Sequence, residues 1–199
     1  MELITSKKQL KKFFDVELGR IKKNCKGIKL HSPFIIYEEQ IIYKILYYLR
    51  KAEYHTNTNH YLRGIYYRFK LLRYETKHTI FIPLNKVDIG LHIAHIGTII
   101  INDNATIGKN LKIYPGVVIG NNEFKDHVKC PIIGDNVYIG TGAKIFGDLT
   151  IADNCIIAAN SVVTKSITQK NSIVGGTPAK FIKKNNYYNN TKKYRIKNI

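Results

Sequence analysis

The sequence predicts a mainly β fold: a parallel β-helix of six-residue units preceded by a small helical domain. Three observations carry this. Ile107, Ile113 and Ile119 lie six apart, and after an interruption Ile133, Ile139, Ile145, Ile151, Ile157 and Val163 continue at the same step, which is an internal repeat. Before residue 80 the apolar residues recur at intervals of three and four, the helical period. Charge divides in the same way: residues 1–80 hold 17 Lys/Arg against 7 Asp/Glu, residues 81–182 hold 9 against 7, and residues 183–199 hold 6 against none. The expected organisation is a helical domain over 1–80, a repeat domain over 81–182 and a basic tail over 183–199.

Composition narrows the class. At 44% hydrophobic and 23% charged residues, the 199-residue chain matches soluble globular proteins. It has no run of 18 apolar residues and no apolar stretch at its start, so a cytoplasmic protein is expected. Cys25, Cys130 and Cys155 are odd in number and widely spaced, which argues for free thiols over disulfides or structural zinc. The net charge of +18 sits at the two ends and suits solvent, an acidic polymer or a peripheral membrane surface alike. With no tryptophan and no base-reading motif, a nucleic-acid partner is not expected.

In the front region Ser6 and Gln9 have capping-box spacing, and Leu10, Phe14, Leu18 and Ile21 follow on one helical face. Ile41, Ile42, Ile45, Leu46 and Leu49 mark a second helix; Leu62, Ile65, Phe69 and Leu72 mark a third, with Asn57-Thr58-Asn59 as the break. The tyrosines Tyr43, Tyr47, Tyr48, Tyr66 and Tyr67 fit either internal packing with hydroxyls at the rim or an aromatic sugar-binding face.

In the repeat, one short strand and one corner per hexapeptide allow three units to close a triangular coil, with the aliphatics stacked in a central column. The positions two before those aliphatics agree: Ala105, Leu111, Val117, Val137, Ala143, Leu149, Cys155 and Ser161 are small or apolar. Two breaks in the count stand out. Val87, Ile93 and Ile99 keep step, but the next register begins at Ile101, which places two extra residues near His95. Ile119 and Ile133 are fourteen apart, which leaves a projecting loop over 121–131.

These hexapeptides resemble those of the left-handed β-helix acyltransferases. Gly90-Leu91-His92-Ile93-Ala94-His95-Ile96-Gly97 looks like the catalytic coil of serine O-acetyltransferases, with His95 at the histidine position. Gly175-Gly176-Thr177-Pro178-Ala179-Lys180 looks like the signature that ends these helices. The resemblance covers about residues 80–183 and implies a left-handed helix, acetyl-CoA as co-substrate without a metal, and a homotrimer with active sites between subunits. It departs where the serine enzymes carry an aspartate before the histidine, another fifteen residues upstream, and Arg-His-Pro in the loop: Ala94, Ile80 and Lys129-Cys130-Pro131 stand there. Cys130 thus replaces a polar substrate contact. Those departures point to a changed acceptor, and the resemblance to relatives that share this coil, a Tyr-rich helical front and an Asn-Asp-Asn-Ala-Thr-Ile-Gly-Lys-Asn run implies an O-acetyltransferase with a carbohydrate acceptor in capsule, exopolysaccharide or O-antigen polysaccharide; the alternative is a serine O-acetyltransferase of cysteine biosynthesis.

Acetyl transfer from a thioester to a hydroxyl needs a base, donors for the tetrahedral oxyanion and a groove for the pantetheine arm. Histidine titrates near working pH, and His95 is the expected base, with corner N–H groups as oxyanion donors. His127 in the loop is the rival, as in galactoside-type relatives, while His92 is expected to point outward. The pattern Ala-x-Ser-x-Val-Thr-Lys at Ala159, Ser161, Val163, Thr164 and Lys165 resembles that of sugar acetyltransferases. The resemblance carries acetyl-CoA contacts to Thr141, Ala159, Thr164, Lys165 and Lys180. A zinc carbonic anhydrase of this fold would need three coil histidines, and only His127 follows His95.

Overall fold

Helices α1 (Lys7–Asn24), α2 (Glu38–Asn57) and α3 (Tyr61–His78) precede the coils in a computed structural model, which describes residues 2–25, 30, 32, 37–124 and 128–186. Ser6 caps α1 by accepting the Gln9 N–H at 3.2 Å, and α2 ends at Asn57, where the sequence breaks. The helices are 18, 20 and 18 residues long and the strands only two to five, so helix and β-helix share the molecule and "mainly β" overstates the sheet. The reason is geometric: each coil places two or three residues per face in the ladder and the rest in corners.

The strands form three faces. The first holds β1 (Ile80–Phe81), β3 (Ile99–Ile101), β6 (Val117–Gly120), β9 (Lys144–Phe146) and β12 (Val162–Val163). The second holds β4 (Thr106–Ile107), β7 (Ile132–Ile133) and β10 (Thr150–Ile151). The third holds β2 (His92–Ile93), β5 (Lys112–Ile113), β8 (Tyr138–Ile139), β11 (Ile156–Ile157) and β13 (Ser172–Gly175), closed by β14 (Lys180–Lys184). All pairings are parallel except β13 with β14. The nine repeat aliphatics from Ile107 to Val163 are buried to within 2% exposure and form the central column, flanked by the buried residues two positions before each. Burying such a side chain contributes roughly 1.5–3 kcal/mol, which makes the column the main stabilising element of the stack.

The corner between the second and third faces is built on asparagine. Asn110, Asn136 and Asn154 adopt φ of 59°, 57° and 61°, a region asparagine tolerates better than most residues. Their amides form a ladder: Asn110 Nδ2 donates to Asn136 Oδ1 at 2.9 Å, and Asn136 Nδ2 to Asn154 Oδ1 at 3.0 Å.

A buried ionic cluster joins the helices to the first coil. Arg50, 1% exposed, donates to Glu17 at 2.8 Å, to Glu53 at 2.9 Å and to the carbonyls of Val87 and Asp88 at 2.9 and 3.1 Å. Glu17 Oε1 also accepts the N–H groups of Gly90 and Leu91 at 3.0 and 3.1 Å. The helical faces differ in part from expectation. On α1, Phe13 and Glu17 are buried beside Leu10 and Leu18. On α3 the apolar stripe is turned outward, with Leu62 85% and Ile65 68% exposed, because Gly64, Leu71 and Glu75 face the interior instead. A Cβ on Gly64 would lie 3.5 Å from the Thr56 hydroxyl, so the missing side chain allows α3 close to α2.

Candidate active site

His95 stands on the edge between the third and first faces. The corner linking β2 to β3 spans 94–98, whereas the one linking β5 to β6 spans only 114–116, so the two extra residues of the sequence count are located here. This longer corner leaves the His95 side chain 61% exposed. Its Nδ1 lies 2.8 Å from Oε1 of Glu38, the first residue of α2, and Glu38 Oε2 accepts the Ile96 N–H at 3.3 Å. A carboxylate can only accept, so the neutral imidazole carries its proton on Nδ1 and keeps the Nε2 lone pair for a substrate. The N-terminus of α2 favours the negative charge at that position.

Sequence reasoning missed Glu38. Ile80, where an aspartate would orient the histidine, is fully buried and pairs with Ile99, and the orienting carboxylate comes from the helical region 57 residues away. The available signal was Glu38-Glu39, two adjacent acids opening an apolar run in a basic region.

Beside this corner, α1, α2 and β2 enclose a cavity of about 130 Å³, lined by Glu17, Arg20, Asn24, Glu39, His92 and Ala94 among others. Arg20 and Glu39 form no hydrogen bond or ion pair with the described residues. His92 therefore turns toward the helices and not outward as expected, because α1 and α2 cover its side of the coil. Burial, reinforced by Arg20, Lys112 and His95, holds its pKa down to about 4, so it is neutral near pH 7. Tyr114 lies one coil along from His95, its ring tilted by 56° with centroids 6.2 Å apart, and Lys112 lies over the Tyr114 ring at 5.2 Å.

Thr141 and Ala159 occupy the same edge as His95, two and three coils further along, or about 10 and 14 Å at the usual strand spacing. Between them the edge carries Tyr114, Pro115, Gly116 and Gly142, and Lys144 Nζ donates to the carbonyls of Gly116 and Gly142. A Cβ on Gly142, whose φ is 74°, would meet the Asn160 side-chain oxygen at 2.1 Å, and one on Gly116 would meet the Gly142 Cα at 3.0 Å. The N–H groups of Gly116 and Gly142 are bonded to the carbonyls of Thr98 and Pro115, so these two corner glycines are not the expected oxyanion donors. Thr164 and Lys165 lie exposed on the next edge, after β12, and Lys180 opens β14. A single chain thus brings Thr141 and Ala159 into line with His95, places Lys180 opposite Gly175 just beyond Ala159, and leaves Thr164 and Lys165 on the next edge.

His127 lies outside the described residues, as do tail residues 187–199. Cys130 is buried at 7% exposure within the β-helix core, so it does not replace a substrate contact as expected: it lies with the inward Ile133, while Ile132 between them faces out at 54% exposure. Lys129 pairs with Asp148 at 3.0 Å. The tyrosines of the front pack largely on one another, Tyr43 on Tyr47 and Tyr47 on Tyr48 and Tyr67. Among the described residues no group of His, Cys, Asp or Glu is arranged to hold a metal, and no helix is long and apolar enough to cross a membrane.

Residues 130–165 match the family model described as bacterial transferase hexapeptide (six repeats). Among solved structures, the chain is similar to serine acetyltransferase from Brucella abortus strain S19, with 22% identity and a TM-score of 0.66 over 90% of this chain and 71% of that one. Neisseria gonorrhoeae serine acetyltransferase in complex with serine aligns at 26% identity and a TM-score of 0.62 over 89% and 71%. The Brucella abortus enzyme in complex with coenzyme A aligns at 21% identity and a TM-score of 0.65 over 90% and 70%. No curated protein sequence matches the chain. The repeat and these likenesses establish the left-handed β-helix fold.

Proposed function

We propose that this chain is an acetyl-CoA-dependent O-acetyltransferase whose acceptor is the hydroxyl of a small amino acid of the serine type. The single observation that carries the chemistry is the His95–Glu38 pair at 2.8 Å, a base with its tautomer fixed and its outer nitrogen open. His95 Nε2 removes the hydroxyl proton as the oxygen attacks the thioester carbonyl. The tetrahedral intermediate then collapses, the carbon–sulfur bond breaks, and the imidazolium returns its proton to the departing thiolate. Glu38 stabilises the imidazolium between those steps. The solved structures that the chain resembles include a serine acetyltransferase bound to serine and one bound to coenzyme A, which supports both substrates.

The small cavity supports the acceptor. At about 130 Å³ it lies below the roughly 300 Å³ at which drug-sized pockets begin, and it holds a cation, Arg20, near Glu17, and an anion, Glu39, neither of them hydrogen-bonded to a described residue. Such a pair suits a carboxylate and an ammonium on one small molecule. The carbohydrate acceptor expected from Ala94 and Ile80 is replaced here: the comparisons do not support it, and the tyrosines that would have formed its face pack on one another. In a homotrimer, a neighbour's edge would bring Thr164 and Lys165 toward the pantetheine groove that Thr141 and Ala159 line.

Coenzyme A release and product mass should be followed with L-serine, nucleotide sugars and deacetylated capsule or O-antigen oligosaccharides. Serine turnover with kcat/KM near about 10⁴ M⁻¹s⁻¹ is expected. Acetylation of an oligosaccharide but not serine would overturn the acceptor alone. Absence of acetyl-CoA binding would overturn the whole reading.

A further inference from the structure

A second cleft lies on the helical region, between α1, α2 and α3, with a volume of about 500 Å³. Lys7, Lys11, Lys51, Arg63, His55 and His60 line it, and no carboxylate does among the described residues. Lys11 is paired with Asp15 at 2.6 Å, on a side chain 62% exposed. Lys51 stands over the rings of Tyr47 and Tyr67, each at 5.8 Å, and makes no ion pair with the described residues. His55 is 6% exposed, stacks on Tyr67 with centroids 5.1 Å apart, and its buried Nδ1 has no hydrogen-bond partner.

An unpaired buried polar atom costs about 1–3 kcal/mol, and converging like charges add to that. The converging charges are relieved by an anion with several oxygens. We infer that this cleft is a binding site for a phosphate or diphosphate group, separate from the site of acetyl transfer. Lys51 and Arg63 supply the charge, and the His55 ring stands in the wall beside them. The charge state of the empty cleft agrees: burial and then Arg63 and Lys7 hold Lys51 below the usual lysine range, and burial and then Lys51, His60 and Arg63 do the same to His55. A bound anion would reverse both shifts.

Calorimetry of the full chain with inorganic phosphate and pyrophosphate at low ionic strength tests this, alongside sedimentation with vesicles of phosphatidylcholine with and without phosphatidic acid. Pyrophosphate should bind, move the His55 ring resonances, and bind at least about tenfold more weakly to the Lys51→Gln/Arg63→Gln variant. Both residues lie outside the candidate active site, so acetyl transfer should be retained and report an intact fold. Binding of phosphatidic acid vesicles without binding of free pyrophosphate, lost in the same variant, would support the site and identify a lipid headgroup as the source. Failure of wild type to bind either form, or equal binding by the variant, would overturn the inference.

Discussion

Glu38 and His95 meet because a helix N-terminus docks against an enlarged coil corner, and the two residues answer for the chemistry in different ways. His95→Ala removes the base and is expected to lower kcat by about 10²–10⁴ while acetyl-CoA affinity stays nearly unchanged. Glu38→Ala leaves the base but not its orientation, so kcat should fall by about tenfold or more with little change in acetyl-CoA KM. Steady-state kinetics with both substrates varied check this, and a kcat within twofold of wild type in Glu38→Ala would remove the pairing from the mechanism. His92 gives a stability prediction. Its folded pKa is about 4 against the ordinary 6.5 of histidine, so between those values the unfolded chain binds the extra proton and stability falls as pH is lowered. Urea midpoints should drop from pH 7 to pH 5, and His92→Asn should lessen that drop. At this scale His95 was legible because the register breaks beside it. Glu38 was not, since nothing local marks a carboxylate whose partner is 57 residues away. Cys130 was misplaced because loop numbering was read without knowing where the coil resumes.

Elements were more legible than contacts. The six-residue step located the inward aliphatics of the coils, since a period in sequence becomes a column in space with no long-range information needed. The helices were found by their period too, but α3 shows what a period leaves open: it defines a stripe, not which side of the helix is covered. Gly64, Leu71 and Glu75 form the inner side of α3, and only Gly64 explains how the backbone comes so close to α2. The docking of α2 depends on Arg50. Arg50→Met leaves Glu17 and Glu53 buried without their cation and is expected to destabilise the chain by about 3–5 kcal/mol, measured by chemical denaturation. Because α2 carries Glu38, kcat should fall as well. Gly142→Val forces a branched side chain into a positive φ against Asn160. It should lower the melting temperature and raise the acetyl-CoA KM more than the acceptor KM, since this edge is where the pantetheine is proposed to lie.

The whole molecule has one face and one end that bear on assembly. Leu62, Ile65 and Phe69 present a contiguous apolar stripe on α3, more than half exposed at every one of these positions. An exposed apolar stripe of this extent favours burial against another copy, in addition to the edge contacts proposed for the homotrimer. We expect light scattering to give three times the 22.9 kDa chain mass, and Leu62→Glu/Ile65→Glu/Phe69→Glu to lower it. A wild-type monomer would remove the homotrimer from the proposal. The far end of the stack poses the opposite problem. A parallel coil offers its last rung as a template for another, and on that face β14 turns back antiparallel on β13, carrying Lys180, Lys183 and Lys184 outward. The strand acts as a stopper: without it one molecule could prime the next, and the same regularity that makes the column cheap to extend would favour filaments over discrete particles.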